Sequence, residues 1–497
     1  MENEIKFRNH ISIVIEELGS TFWVALLFLL GIVEDYFDDI KNNIDSIALE
    51  GKKYWFVFPL LLVVLLIPLI WKINKWRKTY IYIDNNVLIV ERNTLNSKKD
   101  SIALKNISNV NIVQNLFETI IGTSTLKLDT NTYSTADSTD VKIVLKKEQA
   151  EQFKNRLLEL ISDSNEEKKE IEEIDNDTCI KAERNELIKH GLFSINIFSL
   201  FVFIGYLAGS ICYTIDLFTQ HNNENSTTGT IINLILLLLV GVTLLWNTAK
   251  DFIKFWNYKV YRTKDKINLS YGLIKKVKYT IPISTINAVK LKQTFIARMF
   301  KRYMVEIVNV GIGDDEAENN SFLLLYGTKN DIREKLNILL PEFDICVNED
   351  INKCPKCSWV IWSISISIFI VIVTSGIIIS MELIKKSYTI IVAIGIIICI
   401  IGFIVLLSYY FTAGIAVTDN HLVLSKGNFK REIVFIDYKK IQYMSVKQNF
   451  LAKHFGMYNG DVYILANMLN NTHSFPYCTE DYVNSIKKKI LSHNNMD

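Results

Sequence analysis

The string ISNVNIVQNLF at Ile107–Phe117 recurs as INAVKLKQTFI at Ile286–Ile296 and as IQYMSVKQNFL at Ile441–Leu451. In each copy Ile107, Ile286 or Ile441 stands seven residues before Gln114, Gln293 or Gln448, and an apolar residue follows two beyond the glutamine. Eight residues past the glutamine come Gly122, Lys301 and Gly456, each opening a β-rich stretch (TSTLKLDT, RYMVEIVNV, MYNGDVYILA). Fourteen residues before the isoleucine come Asn93, Gly272 and Gly427, and Asn and Gly tolerate the positive φ of a tight hairpin turn. Tyr80-Ile-Tyr-Ile, Ile267-Asn-Leu-Ser-Tyr and His421-Leu-Val-Leu-Ser alternate upstream of these turns, the period of a strand. Each copy closes on a helical pattern, Glu148–Ile161, Asp331–Leu340 and Thr479–Leu491, with Asn330 or Asp331 and Thr479 as expected N-caps. The repeating unit is a small antiparallel β domain with a C-terminal helix, used three times.

Ahead of each copy lies a pair of apolar runs: Thr21–Val33 and Tyr54–Trp71, Leu192–Leu217 and Thr230–Trp246, Trp359–Met381 and Tyr388–Phe411. A helix needs roughly 20 apolar residues to cross the hydrocarbon; the first run is short and needs the Ile11–Leu18 approach to reach that length. The fold class expected is an α+β membrane protein with six transmembrane helices in three hairpins, each followed by a small β domain. The boundaries read 11–71 for hairpin 1, 72–161 for domain 1 and 162–190 for a charged linker. Hairpin 2 and domain 2 follow at 191–249 and 250–345, then hairpin 3 and domain 3 at 358–411 and 412–497. A mean hydropathy of +0.18 over 497 residues fits membrane embedding. Lys and Arg flank the domain side of the spans, so the positive-inside rule places the termini and all three domains in the cytoplasm. No charged residue or histidine stands near the middle of a run, which counts against ion-coupled transport. Gly205 and Gly209 form a GxxxG that predicts a close helix contact.

The balance of 55 basic against 53 acidic residues excludes a nucleic-acid reader. Seven cysteines scattered over the chain are no disulfide framework.

The recurring Ile-x-x-[VM]-x-x-x-Gln-x-[LF] strings, the turn residues Gly272 and Gly427, and Gly122 and Gly456 downstream resemble the bacterial pleckstrin-homology-like membrane proteins. The likeness is to the long YdbT type with three such domains, and Arg8 and His10 resemble that type's N-terminus. Asn93 and Lys301 depart from the pattern where it has glycine. The resemblance implies PH-like split barrels capped by a helix, and no enzymatic activity. It links relatives to protection against membrane-active peptides, including circular and leaderless bacteriocins, beside a shorter membrane partner of the same family.

The chain carries few residue patterns with recognisable chemistry. Cys354-Pro-Lys-Cys357, with Cys346 nearby, has metal-like spacing but no second ligand pair in sequence. The seven histidines form neither HExxH nor a triad, and Gly311-Ile-Gly313 is followed by acid. No catalytic, metal or cofactor site is expected. The repeated glutamines read as structural groups at strand ends. Arg298, Lys301, Arg302 and Lys453 are the candidates for contact with anionic lipid headgroups; Glu118 occupies that stretch in copy one. The expected function is a non-enzymatic multi-pass protein of the bacterial cell membrane that gives bacteriocin resistance or self-immunity within a membrane complex. Its expected partners are the bilayer, a shorter relative and a bacteriocin-like peptide. The alternatives are a peptide-exporter subunit served by a separate ATPase and a lipid-sensing scaffold.

Overall fold

The computed structural model describes residues 6–19, 67, 69–94, 96–130, 141–163, 179–219, 226–309, 322–343, 351–384, 388–466 and 471–494. Span one, span two apart from residues 67 and 69–71, Gly311–Gly313, Cys346 and most of the charged linker lie outside these residues. The chain forms two compact units, residues 1–132 with 140–171, and residues 133–139 with 172–497.

The first unit holds copy one. Strands β1 (Thr79–Asp84), β2 (Val87–Arg92) and β3 (Lys98–Ala103) make one antiparallel sheet. The β1–β2 turn is Asn85–Asn86, both at positive φ (46° and 62°), the arrangement whose twist matches a two-residue hairpin. Strands β4 (Ile107–Gln114), β5 (Thr123–Thr130) and β6 (Val141–Lys146) pair in sequence order, and helix α1 (Leu116–Ile121) joins the first two. Ile81, Leu88, Leu104, Leu126, Leu128 and Ile143 are fully buried between the sheets. Helix α2 (Lys147–Asp163) adds Ala150 and Leu157 to the same core. Burying a leucine contributes about 1.5–3 kcal/mol, so one apolar stripe is enough to hold α2 as the cap.

The second unit holds copies two and three. A two-residue strand β7 (Ile180–Lys181) and helix α3 (Arg184–Phe193) precede the apolar helices α4 (Ile197–Thr219) and α5 (Ser226–Lys254). Then come β8 (Lys259–Thr263), β9 (Lys266–Tyr271), β10 (Lys276–Pro282), β11 (Ile286–Gln293), helix α6 (Phe295–Met299), β12 (Tyr303–Asn309), β13 (Phe322–Gly327) and helix α7 (Lys329–Leu339). Copy three repeats the order. Its elements are β14 (Asn352–Lys353), α8 (Ser358–Ile384), α9 (Tyr388–Thr412), β15 (Gly414–Val417), β16 (His421–Lys426), β17 (Arg431–Asp437) and β18 (Ile441–Lys447). Helix α10 (Phe450–His454), β19 (Met457–Ile464), β20 (Thr472–Thr479) and α11 (Glu480–Asn494) complete it.

Among the described residues three stretches are long and apolar enough to cross a membrane: Ile197–Ile215, Gly229–Lys254 and Ser358–Gly376; Cys399–Thr412 in α9 is a shorter apolar helix. Three details differ from the sequence reading. The third run does not start at Leu192: α3 ends at Phe193 with Ser194 as its C-cap, and Asn196 Oδ1 accepts from Phe198 N at 3.0 Å to start α4 afresh. The helix of copy two is capped by Thr328, which accepts from Asp331 N, rather than by Asn330 or Asp331. Gly205 and Gly209 face open space, whereas a Cβ on Gly241 would touch Phe203. The α4–α5 contact is instead bonded through Asn233, which donates to Ser210 Oγ at 2.8 Å and accepts from Tyr206 at 3.2 Å. Such intramembrane hydrogen bonds contribute about 0.6 kcal/mol each.

Candidate bilayer-facing site

The repeated sequence elements converge on one structural device. Gln114 Nε2 donates to the Thr123 carbonyl at 2.7 Å, Gln293 to that of Arg302 at 3.0 Å and Gln448 to that of Met457 at 3.1 Å. Each bond ties the end of β4, β11 or β18 to a backbone position nine residues on. The residue after each glutamine caps the intervening helix: Asn115 accepts from Glu118 N, Thr294 from Ala297 N and Asn449 from Ala452 N. Sequence reasoning passed over these caps, although Gln-Asn, Gln-Thr and Gln-Asn stand side by side in the three strings. The turn closes through Gly122 (φ 79°), Lys301 (φ 51°) and Gly456 (φ 60°). Lys301 therefore takes the left-handed conformation its glycine counterparts take, and the departure in sequence is no departure in backbone.

The upstream turn residues have a shared task as well. Asn93 N donates to Lys78 O at 3.0 Å and Gly272 N to Trp256 O at 2.8 Å, while Thr412 donates to the Gly427 carbonyl. Each fastens the turn before the third strand to the segment that enters the domain. Gly272 (φ 116°) and Gly427 (φ 134°) are confined to glycine, since a Cβ would lie 1.8 and 1.9 Å from the carbonyls of Lys275 and Lys430. In copy one five residues, 93–97, span the same connection, and Asn93 needs no positive φ.

In the second unit the short helices lie beside the domain-side ends of the apolar helices. Ala452 and Leu451 of α10 pack with Ile361 and Trp362 in the first turn of α8. Trp359, Trp362, Tyr409 and Tyr410 contact one another there, with Trp362 and Tyr409 ring centroids 4.7 Å apart. Trp and Tyr of this kind mark the membrane–water interface. Thr294, the cap of α6, also donates to the carbonyl of Phe193 just ahead of α4. At this level α6 and its turn expose Met299 (68%) and Phe300 (62%), and α10 exposes Phe450 (86%).

The four basic candidates belong to this band but have different surroundings. Arg298 and Lys453 occupy equivalent places, five residues after the glutamine. Lys453 is exposed; Arg298 is half-buried, its Nη1 3.4 Å from both Ser408 Oγ and the Asn428 carbonyl. Lys301 is exposed on the left-handed turn. Arg302 is half-buried, and its Nε is buried without a hydrogen-bond partner among the described residues. Copy one has Thr119 in place of Arg298 and a buried Glu118 that accepts from Asn115 N at 2.9 Å, so its helix carries apolar Leu116, Ile120 and Ile121 outward without the cations. Beside Arg298 a cleft of about 410 Å³ is lined by Ile197, Tyr409, Lys426, Asn428, Phe429 and Lys430.

The other candidate chemistry disperses. Cys354 is buried and Cys357 exposed, and burial pushes the thiols of Cys354 and Cys478 up to about 12, far from the thiolate a metal needs. Among the described residues no three His, Cys, Asp or Glu side chains are grouped to hold an ion. His10 accepts from Ser12 N at 3.3 Å at the start of a helix, and Arg8 stacks on Tyr80.

A family profile described as a bacterial PH domain matches residues 25–161, 199–325 and 362–493. Among curated proteins, the UPF0699 transmembrane protein YdbT of Bacillus subtilis (strain 168) is 26% identical over 143 residues, 27% of this chain and 29% of that protein. The match thus spans less than a third of the relative's length. No solved structure matches.

Proposed function

This chain belongs to the bacterial PH domain family, and on that premise we propose that it is a non-enzymatic, multi-pass membrane protein protecting the cell envelope from membrane-active peptides. In this reading its PH-like domains lie in the cytoplasm and its apolar hairpins meet the inserting peptide. The observation that supports it is the way each hairpin of the second unit is fastened. Ile180 and Lys181 pair with Val260 and Lys259 across hairpin two, and Asn352 and Lys353 with Ile415 and Gly414 across hairpin three. Phe7 makes the corresponding bridge to Ile81 in copy one. Both ends of a hairpin are thus held in the first strand of its own domain, so a peptide that displaces the helices strains the β domain directly. A loosely tethered anchor could not pass that displacement on. The test is a killing curve in a sensitive host expressing the full chain, alone and with its genomic neighbours, against circular, leaderless and unrelated pore-forming peptides. Selective survival is the expected result; unchanged sensitivity in every combination overturns the reading.

A second reading, a lipid-responsive scaffold, is favoured by exposed Met299, Phe300 and Phe450 beside Lys301 and Lys453 at the aromatic level of the helices. Apolar side chains flanked by cations suit the headgroup boundary. The chain has eight native tryptophans, so the readout is the emission that Phe450→Trp adds over the wild-type chain in brominated lipids, and this added emission should be quenched more strongly by shallow than by deep bromines. Added emission unchanged by any bromine position rejects bilayer contact at α10.

A further inference from the structure

Within the second unit, the sheet of β11, β12 and β13 continues edge to edge into the first sheet of copy three, because β11 pairs antiparallel with β17. Ala288 stands opposite Ile436, Leu291 opposite Ile433 and Lys292 opposite Glu432. Lys292 Nζ lies 2.6 Å from Glu306 of its own domain and 4.0 Å from Glu432 of the next. Ala288 and Val308 are buried in one core with Ile436 and Tyr438. The joint is therefore paired, apolar at its middle and closed by a lysine held between two carboxylates.

Strand β18 is the β11 of copy three, and among the described residues it pairs with β19 alone. Tyr443 takes the place of buried Ala288 and is 58% exposed. Lys447 takes the place of Lys292. It lies 2.6 Å from Asp461, the counterpart of Glu306, with 60% of its side chain exposed. One carboxylate of the pair is supplied and the other position is open. Uncapped edges of this kind recruit a further strand, and an exposed aromatic at the middle of the edge is suited to be its anchor.

A second copy of this chain fits this edge poorly. Its strand β3 would offer Lys98 where β17 has Glu432, since both stand nine residues before the repeated isoleucine. Lys99 would replace Ile433 and Asp100 would replace Val434. Like charges would face each other at Lys447, and charge would meet the apolar centre.

We propose that β18 is a docking edge for the third strand of a PH-like domain on a separate polypeptide, one with a carboxylate opposite Lys447 and an apolar run opposite Tyr443 to Val446. The proposal does not depend on peptide protection. The test uses the full chain in micelles and a fluorescent peptide of residues 429–440 (FKREIVFIDYKK), which carries the strand that docks on β11. The resident β17 occupies β11 intramolecularly, whereas its counterpart β18 pairs among the described residues with β19 alone. Saturable binding is expected, weakened about tenfold by Lys447→Glu and restored when the peptide carries Glu432→Lys. Tyr443→Lys, which leaves Lys447 in place, should also weaken binding. Absence of binding to the wild-type chain, or binding indifferent to the charge swap, overturns the proposal. Wild-type oligomers that dissociate on Lys447→Glu also overturn it, by assigning the edge to a second copy.

Discussion

Acid should loosen the joint between hairpin two and its domain, and His190 gives the size of the effect. The imidazole is buried on α3 among Phe255, Phe322 and Tyr326, with ring centroids 4.9, 5.5 and 5.1 Å away, and its Nδ1 accepts from Tyr326 N at 3.3 Å. Burial, helped by the Lys254 ammonium, pushes its pKa from 6.5 down to about 3. A histidine depressed in the folded state stabilises fully above its unfolded pKa, and that contribution is lost as pH falls from 6.5 toward 3. At pH 5 the unfolded chain takes a proton that the native site refuses, which costs about 2 kcal/mol relative to pH 7.5. His190→Phe keeps the aromatic packing, abolishes the titration and leaves the Tyr326 N–H without its acceptor, at a cost of about 1–3 kcal/mol at pH 7.5. The wild-type advantage at pH 7.5 should then shrink by about 2 kcal/mol at pH 5. Hydrogen exchange at the β13 amides in micelles, corrected for intrinsic rates, reads both numbers, and neighbouring groups such as Asp251 and Lys254 are common to both proteins. Equal pH dependence in wild type and variant refutes the argument.

Three further outcomes follow from the repeated device. Gly456→Ala should cost about 1–2 kcal/mol from its positive φ, because nothing lies within 4 Å of the added Cβ; Lys301→Gly should gain about 1 kcal/mol by relieving the same conformation, and local exchange in β19 and β12 reads the two signs. Gln293→Leu leaves the Arg302 carbonyl unpaired and should cost about 1–3 kcal/mol, seen as faster exchange around the α6 turn; unchanged protection there rejects the role given to Gln293. Gly427→Ala, with a Cβ 1.9 Å from the Lys430 carbonyl, should abolish folded protein in micelles by size-exclusion chromatography, whereas Gly205→Ala, facing open space, should elute as wild type.

The parts of this fold that were legible in the sequence are those whose cause is local. A glutamine bonding a carbonyl nine residues on, between strands joined by one helical turn, must keep its spacing, and so Gln114, Gln293 and Gln448 align without gaps. The strands and closing helices were readable because one apolar face imposes period two or 3.6. The caps Asn115, Thr294 and Asn449 were present in the same strings but begin helices of only five or six residues, too short for periodicity to announce. The two-residue strands before hairpins two and three were invisible for the same reason. Gly205 and Gly209 meet no neighbouring helix among the described residues, since spacing shows that two glycines share a helix face, not which way that face turns.

What no local pattern carries is the use made of an edge. INAVKLKQ and IQYMSVKQ are near-equivalent strings, yet β11 is buried along almost its whole length while only Ile441 of β18 is buried. The difference lies in the strand opposite: β17 brings Glu432 and four apolar residues to Lys292 and its neighbours, whereas among the described residues β18 pairs with β19 alone and Lys447 has only Asp461 of its own domain. An apolar edge left bare in a soluble domain is an aggregation hazard unless it is guarded by charge. Strand β3 is guarded in that way, with Lys98 and Lys99 exposed and Lys98 paired to Asp100 at 3.0 Å. β18 has a tyrosine at the corresponding outer edge and a lysine already oriented by Asp461. Its composition therefore resembles that of the internal joint far more than that of the protected edge, and the two differ in whether a partner strand is supplied by the same chain.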